Sequence, residues 1–147
     1  MNTRLAAGVA ALTLLVGAPA DAGSAAGFCF DEAGAAYDVP PQLLRAIAWT
    51  ESRFNRYAIH LNTDGSVDLG GFQIHESWLP KLKTYGITRQ DLFDPCISSY
   101  VAAWISAQNI QAHGYNWTAV GAFNAKSPHK REKYARLVFA SLRAPRN

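Results

Sequence analysis

"ESRFNRYAIHLNTDGSVDLGGFQI", residues 51–74, decides the fold. Its front end continues a helical pattern begun by Leu43, Leu44, Ile47 and Ala48, and Leu44, Ile47, Glu51 and Phe54 fall on one stripe. The middle changes period. Residues 57–62 and 66–69 read as short extended stretches around Asp64-Gly65, a strong hairpin signal. Gly70 and Gly71 then allow a tight bend. A helix end followed by a tight hairpin can fold Asp68 back across a cleft from Glu51. A glutamate among apolar side chains is desolvated, which raises its pKa and keeps a proton available for donation. Spacing alone leaves other readings open. Glu51 could be a rim residue paired with Arg53 or Arg56, or could simply face solvent. Asp68 could bond backbone N–H groups beside the turn, a role that Asp64 fits more clearly.

Working outward, the pattern is mostly helical. Residues 29–37 form an Ala-rich helix candidate. Asp38 can cap the next helix, whose first turn holds Pro40 and Pro41 and which should end near Asn55. A short helix over 75–85 is interrupted at Pro80. Asp94-Pro95 opens a long helix with Ile97, Tyr100, Val101, Trp104, Gln108 and Gln111 on one face. Asn116 can cap a helix over 117–123. Ser127-Pro128 starts the last one, with Tyr134, Leu137, Val138 and Ser141 on a shared face. No repeat, low-complexity segment or linker interrupts the chain.

The first 22 of the 147 residues read as a secretory signal peptide: Arg4, an apolar run over 5–16, and Ala20-Asp21-Ala22 as a cleavage site. A second site at Ser24-Ala25-Ala26 and an uncleaved anchor are the alternatives, although the apolar run is short for a bilayer span. The remaining chain, 23–147, is expected to be one domain, exported to the periplasm or secreted, with no stable membrane insertion after cleavage. Cys29 and Cys96 are the only cysteines. In an exported chain such a pair suggests one disulfide, two buried thiols being the alternative. The four histidines have no metal-ligand spacing with them, so no metal is expected. The net charge of +3 suits weak attraction to acidic polymers. No dense basic run marks a nucleic-acid partner.

Four motifs then fall in order. Glu51-Ser52-x-Phe54-Asn55, Gly70-x-Phe72-Gln73-Ile74, Ala122-Phe123-Asn124-Ala125 and Tyr134 in "EKYARLV" resemble the successive motifs of the lytic transglycosylase (SLT) domain, over about residues 28–141. Cys29 and "DPC" at 94–96 resemble its small secretion-associated branch, whose members open the cell wall for type III or type IV secretion, conjugation or pilus machines. The resemblance implies a mainly α, lysozyme-like α+β domain with one small β-hairpin beside the active-site cleft. It implies cleavage of the β-1,4 bond between N-acetylmuramic acid and N-acetylglucosamine in peptidoglycan, without a cofactor. Glu51 falls on the catalytic acid. Ser52, Gln73, Phe123, Asn124 and Tyr134 fall on substrate-binding or orienting positions. Ser52 could equally make a local backbone bond, and Tyr134 could be a core residue.

There are departures. Asp68 stands where the family usually has serine, Gly71 replaces a large apolar residue and is expected to loosen the cleft floor, Phe123 replaces tyrosine, and Lys126 replaces glycine. The stretch from Glu51 to Trp78 also resembles the active-site segment of C-type lysozymes, in its glutamate-to-aspartate spacing and its NTDGS turn. That second resemblance implies an active-site role for Asp68 as nucleophile or electrostatic stabiliser, and a hydrolytic muramidase as the alternative activity. A non-catalytic glycan-binding assembly protein would keep the cleft aromatics but would not need Glu51. A helical export or pilus component would not need the ordered later motifs.

Overall fold

A computed structural model describes residues 23–143. The expected signal peptide, 1–22, lies outside the described residues. Helix α1 spans Phe30–Tyr37 and α2 spans Pro41–Ser52. Strands β1 (Ile59–Leu61), β2 (Val67–Leu69) and β3 (Ile74–His75) follow, then a 3-10 turn, Glu76–Trp78, that runs into α3 (Leu79–Lys83). A second 3-10 turn, Gln90–Phe93, precedes α4 (Pro95–His113), α5 (Trp117–Gly121) and α6 (Pro128–Arg143). This is the mainly helical, lysozyme-like architecture with a small sheet.

The hairpin forms as its turn signal requires. Ile59, His60 and Leu61 pair antiparallel with Leu69, Asp68 and Val67. The sheet nevertheless has a third strand, whose second residue, His75, the sequence reading placed at the start of a helix. Gly70 at φ 74° and Gln73 at φ 48° turn the chain sharply, and Asp68 and Leu69 then pair with His75 and Ile74. Two residues are too few to leave a periodic signal. A Cβ on Gly70 would stand 2.1 Å from the Leu92 carbonyl oxygen, so the bend needs glycine on both conformational and steric grounds.

Helix α2 departs from expectation at both ends. Pro40 precedes its first turn and Pro41 opens it, while Asp38, at φ 54°, closes α1 instead of capping α2. The helix stops at Ser52 because Arg53 (φ 55°) and Phe54 (φ 64°) are both left-handed. Phe54 is therefore buried from a reversing loop and not from the helical stripe. It joins Phe28, Phe30 and Phe72, whose centroids stand 5.1 to 6.2 Å apart. A Cβ on Gly71 would lie 2.5 Å from the Phe28 ring. The space freed by glycine there is filled by Phe28, so the expected loosening does not occur.

Asp94 opens α4 as expected, its Oδ1 accepting from the Cys96 N–H at 2.8 Å and the Ile97 N–H at 2.9 Å. The expected apolar stripe does not describe the helix, however. Ser98, Ser99, Ala102, Ala103 and Ser106 are buried, while Tyr100 and Gln111 are exposed. Helix α4 is central and packs against α1, α2 and α5. Small residues on several sides admit close neighbours, and one-face periodicity is lost. The Cys29–Cys96 disulfide joins the start of α1 to the first turn of α4. On α6, Tyr134, Ala135 and Val138 are buried, but Leu137, expected on their face, is half exposed. Asn116 caps α5 through the Ala119 N–H at 3.1 Å, and the helix ends at Gly121 instead of Phe123.

Candidate active site

Glu51 lies in the last turn of α2, and α6 packs against that helix. The Tyr134 hydroxyl donates to Glu51 Oε1 at 2.5 Å. Burial pushes the Glu51 carboxyl up from its ordinary 4.5 to about 7. The Tyr134 hydrogen bond pulls it back in part, and the Asp68 charge adds to the rise. Burial, with the Glu51 charge beside it, holds the Tyr134 phenol well above its usual range, so it remains a donor. A second tie between the helices runs from Thr50 Oγ1 to Ser141 Oγ at 2.9 Å. Neither arginine expected as an alternative partner pairs with Glu51. The Arg53 guanidinium lies over the Trp49 ring, and Arg56 Nε donates to the Phe93 carbonyl at 3.2 Å.

Asp68 sits in the middle of β2, opposite His60 on one side and His75 on the other. The turn role belongs to Asp64, whose Oδ1 accepts from the Ser66 N–H at 2.9 Å and the Ser66 hydroxyl at 2.6 Å. Those bonds hold the Asp64 carboxyl below its usual range. Asp68 Oδ2 instead accepts from Asn62 Nδ2 at 3.1 Å.

The other residues singled out in the sequence divide by what their polar atoms do. Ser52 Oγ donates to the Gly71 carbonyl at 2.7 Å. Gln73 Nε2 donates to the Gly70 carbonyl at 2.8 Å and to the Ala58 carbonyl at 3.1 Å. Both side chains brace the glycine bend, one against the end of α2 and the other against the approach to β1. Phe123 is half-buried against the core, and Asn124 is exposed in the turn between α5 and α6. Two cavities, of about 610 and 680 Å3, lie elsewhere. One runs along α6 between Trp117 and Phe139, and the other lies beside Pro40 and Tyr115. Neither is lined by Glu51 or Asp68, so burial of a carboxyl, and not cavity size, singles out the candidate site. Among the described residues, no group of three or more His, Cys, Asp or Glu side chains could hold a metal.

Asn62, Ser66 and His75 were missed as site neighbours. The available signal was strand alternation: Ser66 and Asp68 share a face, and Asn62 stands across the turn from Ser66.

The chain matches the model of the transglycosylase SLT domain over residues 28–137. It is 39% identical over 113 residues to Protein IpgF of Shigella flexneri, covering 76% of this chain and 74% of that protein. It is 39% identical over 120 residues to Invasion protein IagB of Salmonella typhimurium, covering 78% and 75%. It is 39% identical over 115 residues to X polypeptide of Escherichia coli, covering 77% and 68%. The match across most of the chain, with which the buried Glu51 at the end of α2 agrees, leads to one conclusion: this protein belongs to the SLT transglycosylase domain family, whose members are lytic transglycosylases acting on peptidoglycan.

Proposed function

We propose that the enzyme cleaves the β-1,4 bond between N-acetylmuramic acid and N-acetylglucosamine by a non-hydrolytic route that leaves 1,6-anhydro-muramyl ends. The observation that supports this most is the buried Glu51 carboxyl, held by Tyr134 and pushed up to about 7. Near neutrality such a group is protonated in part of the molecules and can both give and take a proton. Glu51 protonates the leaving glycosidic oxygen as the C1–O bond breaks. The substrate's own N-acetyl group covers the oxocarbenium-like centre. The Glu51 carboxylate, with the Tyr134 hydroxyl on Oε1, then takes the 6-hydroxyl proton as that oxygen closes on C1. No water or cofactor enters.

Asp68 acts in this reading as an electrostatic stabiliser of the developing positive charge. Phe123 and Asn124 contact sugar, the amide suiting an acetamido group. Ser52 and Gln73 hold the cleft wall through the Gly70-Gly71 bend, and Tyr134 orients the acid. A hydrolytic muramidase is the second reading. It is favoured by the Asp68 carboxylate, which is near enough to raise the Glu51 pKa. We further propose that residues 1–22 are removed on export to the periplasm or beyond. The domain of 23–147 then opens the wall locally for a secretion, conjugation or pilus apparatus. The name of the relative IagB, an invasion protein, agrees with such a role.

Glu51→Gln tests the acid. The variant should lose wall cleavage by about a thousandfold while still sedimenting with peptidoglycan. Retained cleavage would remove Glu51 from the chemistry, and loss of both cleavage and binding in a folded variant would favour a binding role for the residue.

A further inference from the structure

The hydrogen bonds around Asp68 form a chain whose donors and acceptors are determined. The Ser77 N–H can only donate, and it lies 3.1 Å from His75 Nδ1. Nδ1 is therefore the acceptor, and the ring proton of neutral His75 sits on Nε2. Nε2 stands 3.0 Å from Ser66 Oγ and donates to it. The Ser66 hydroxyl spends its own proton on Asp64 Oδ1 at 2.6 Å. Its second acceptor position takes Asn62 Nδ2 at 3.2 Å. The remaining Asn62 amide proton reaches Asp68 Oδ2 at 3.1 Å. Every proton of the Ser66 hydroxyl and the Asn62 amide group is thus committed. The charged neighbours of the chain are Asp64, Asp68 itself and Glu76, whose Oε1 accepts from the Val67 N–H at 3.1 Å.

His75 faces Asp68 across the β2–β3 ladder. Among the described residues, the side-chain hydrogen bonds from His75 to the carboxylate run through Ser66 and Asn62. We propose that His75 is a positioning residue for Asp68: through Ser66 Oγ it fixes the Asn62 amide, and the amide holds the Asp68 carboxylate at one orientation in the cleft. This rests on the reading that Asp68 belongs to the active site. A misdirected charge loses much of its value to a transition state while leaving sugar contacts elsewhere intact.

Two substitutions separate this role from simple capping of the Glu76–Trp78 turn. His75→Gln places an amide N–H near the Nε2 position and keeps the donor to Ser66, but gives up the Ser77 cap. His75→Asn keeps an acceptor near Nδ1 for Ser77 and loses the donor to Ser66. The full exported chain is assayed on purified soluble glycan strands, alongside Ser66→Ala and Asp68→Asn, with melting temperatures for each. His75→Asn and Ser66→Ala should lower kcat about ten- to hundredfold with KM within about threefold, and His75→Gln should recover most of kcat despite a lower melting temperature. The double variant of His75→Asn with Ser66→Ala should lose no more than either single change. If His75→Gln loses kcat and His75→Asn keeps it, His75 is only a cap and the inference is overturned. If Asp68→Asn is inactive while His75→Asn is fully active, the inference fails and the Asp68 reading stands. If Asp68→Asn is fully active, both fail.

Discussion

Glu51 combines a sequence position that helical spacing could suggest with an environment that spacing could not. The stripe through Leu44 and Ile47 put it beside the core. The Tyr134 bond comes from a helix 83 residues away. Only the resemblance to a known family pointed to that partner. In the proposed mechanism protonated Glu51 is the reactive form, so kcat/KM should fall as pH rises through about 7. Tyr134→Phe removes the contact that lowers this pKa. The alkaline limb of the pH profile should move to higher pH, with kcat down about tenfold because the carboxylate formed in the reaction loses its donor. Stability follows the same linkage. With its pKa raised on folding, the folded state binds the proton more tightly than the unfolded chain. The resulting advantage is full below about 4.5 and is lost as pH rises through about 7. Glu51→Gln has no such loss, so at pH 8 it should be more stable than the parent by about 3 kcal/mol, and the gap should close by about pH 4. Denaturant melts at the two pH values measure this.

The hairpin and the helix ends were legible wherever local chemistry dictates the backbone. Asp64-Gly65 gave β1 and β2, Asp94 gave the start of α4, and Asn116 gave the start of α5. What remained hidden depends on tertiary context. Strand β3 is too short to carry a period. Helix α4 is buried on too many sides to have one apolar face. Phe54 reaches the core through two left-handed residues that no propensity favours. Asp68 shows the same division within the site. Its place on the hairpin could be read from the turn, but its bond to Asn62, and the chain behind it to His75, depend on a register that only pairing fixes. The Cys29–Cys96 bridge is the longest-range constraint that composition alone suggested, and it closes a loop with a sequence separation of 67 residues. Replacing both cysteines by serine should cost about 4 kcal/mol on the chain-entropy account, a fall of about 15 °C in melting temperature. Cleavage at a temperature where the variant remains folded should persist, since the bridge joins the start of α1 to the first turn of α4 and Glu51 and Asp68 lie on other elements.

For the whole molecule, the helical body sets Glu51 and its tyrosine, and the small sheet sets Asp68. Two unlike carboxylates come from different elements, one with its pKa raised by burial and one held by an amide. Such a division suits a reaction that needs a proton donor on one side of the bond and negative charge on the other. It also leaves a choice between an intramolecular hydroxyl and water as the group that completes the reaction. Digestion of purified peptidoglycan with the mature chain, followed by mass spectrometry before and after borohydride treatment, decides it. Anhydro-muropeptides whose mass borohydride leaves unchanged are expected, and would establish Glu51 as both acid and base with Asp68 as stabiliser. Products that gain the mass of a reduced sugar end would contradict that route and make the enzyme a hydrolase in which Asp68 is the nucleophile or base.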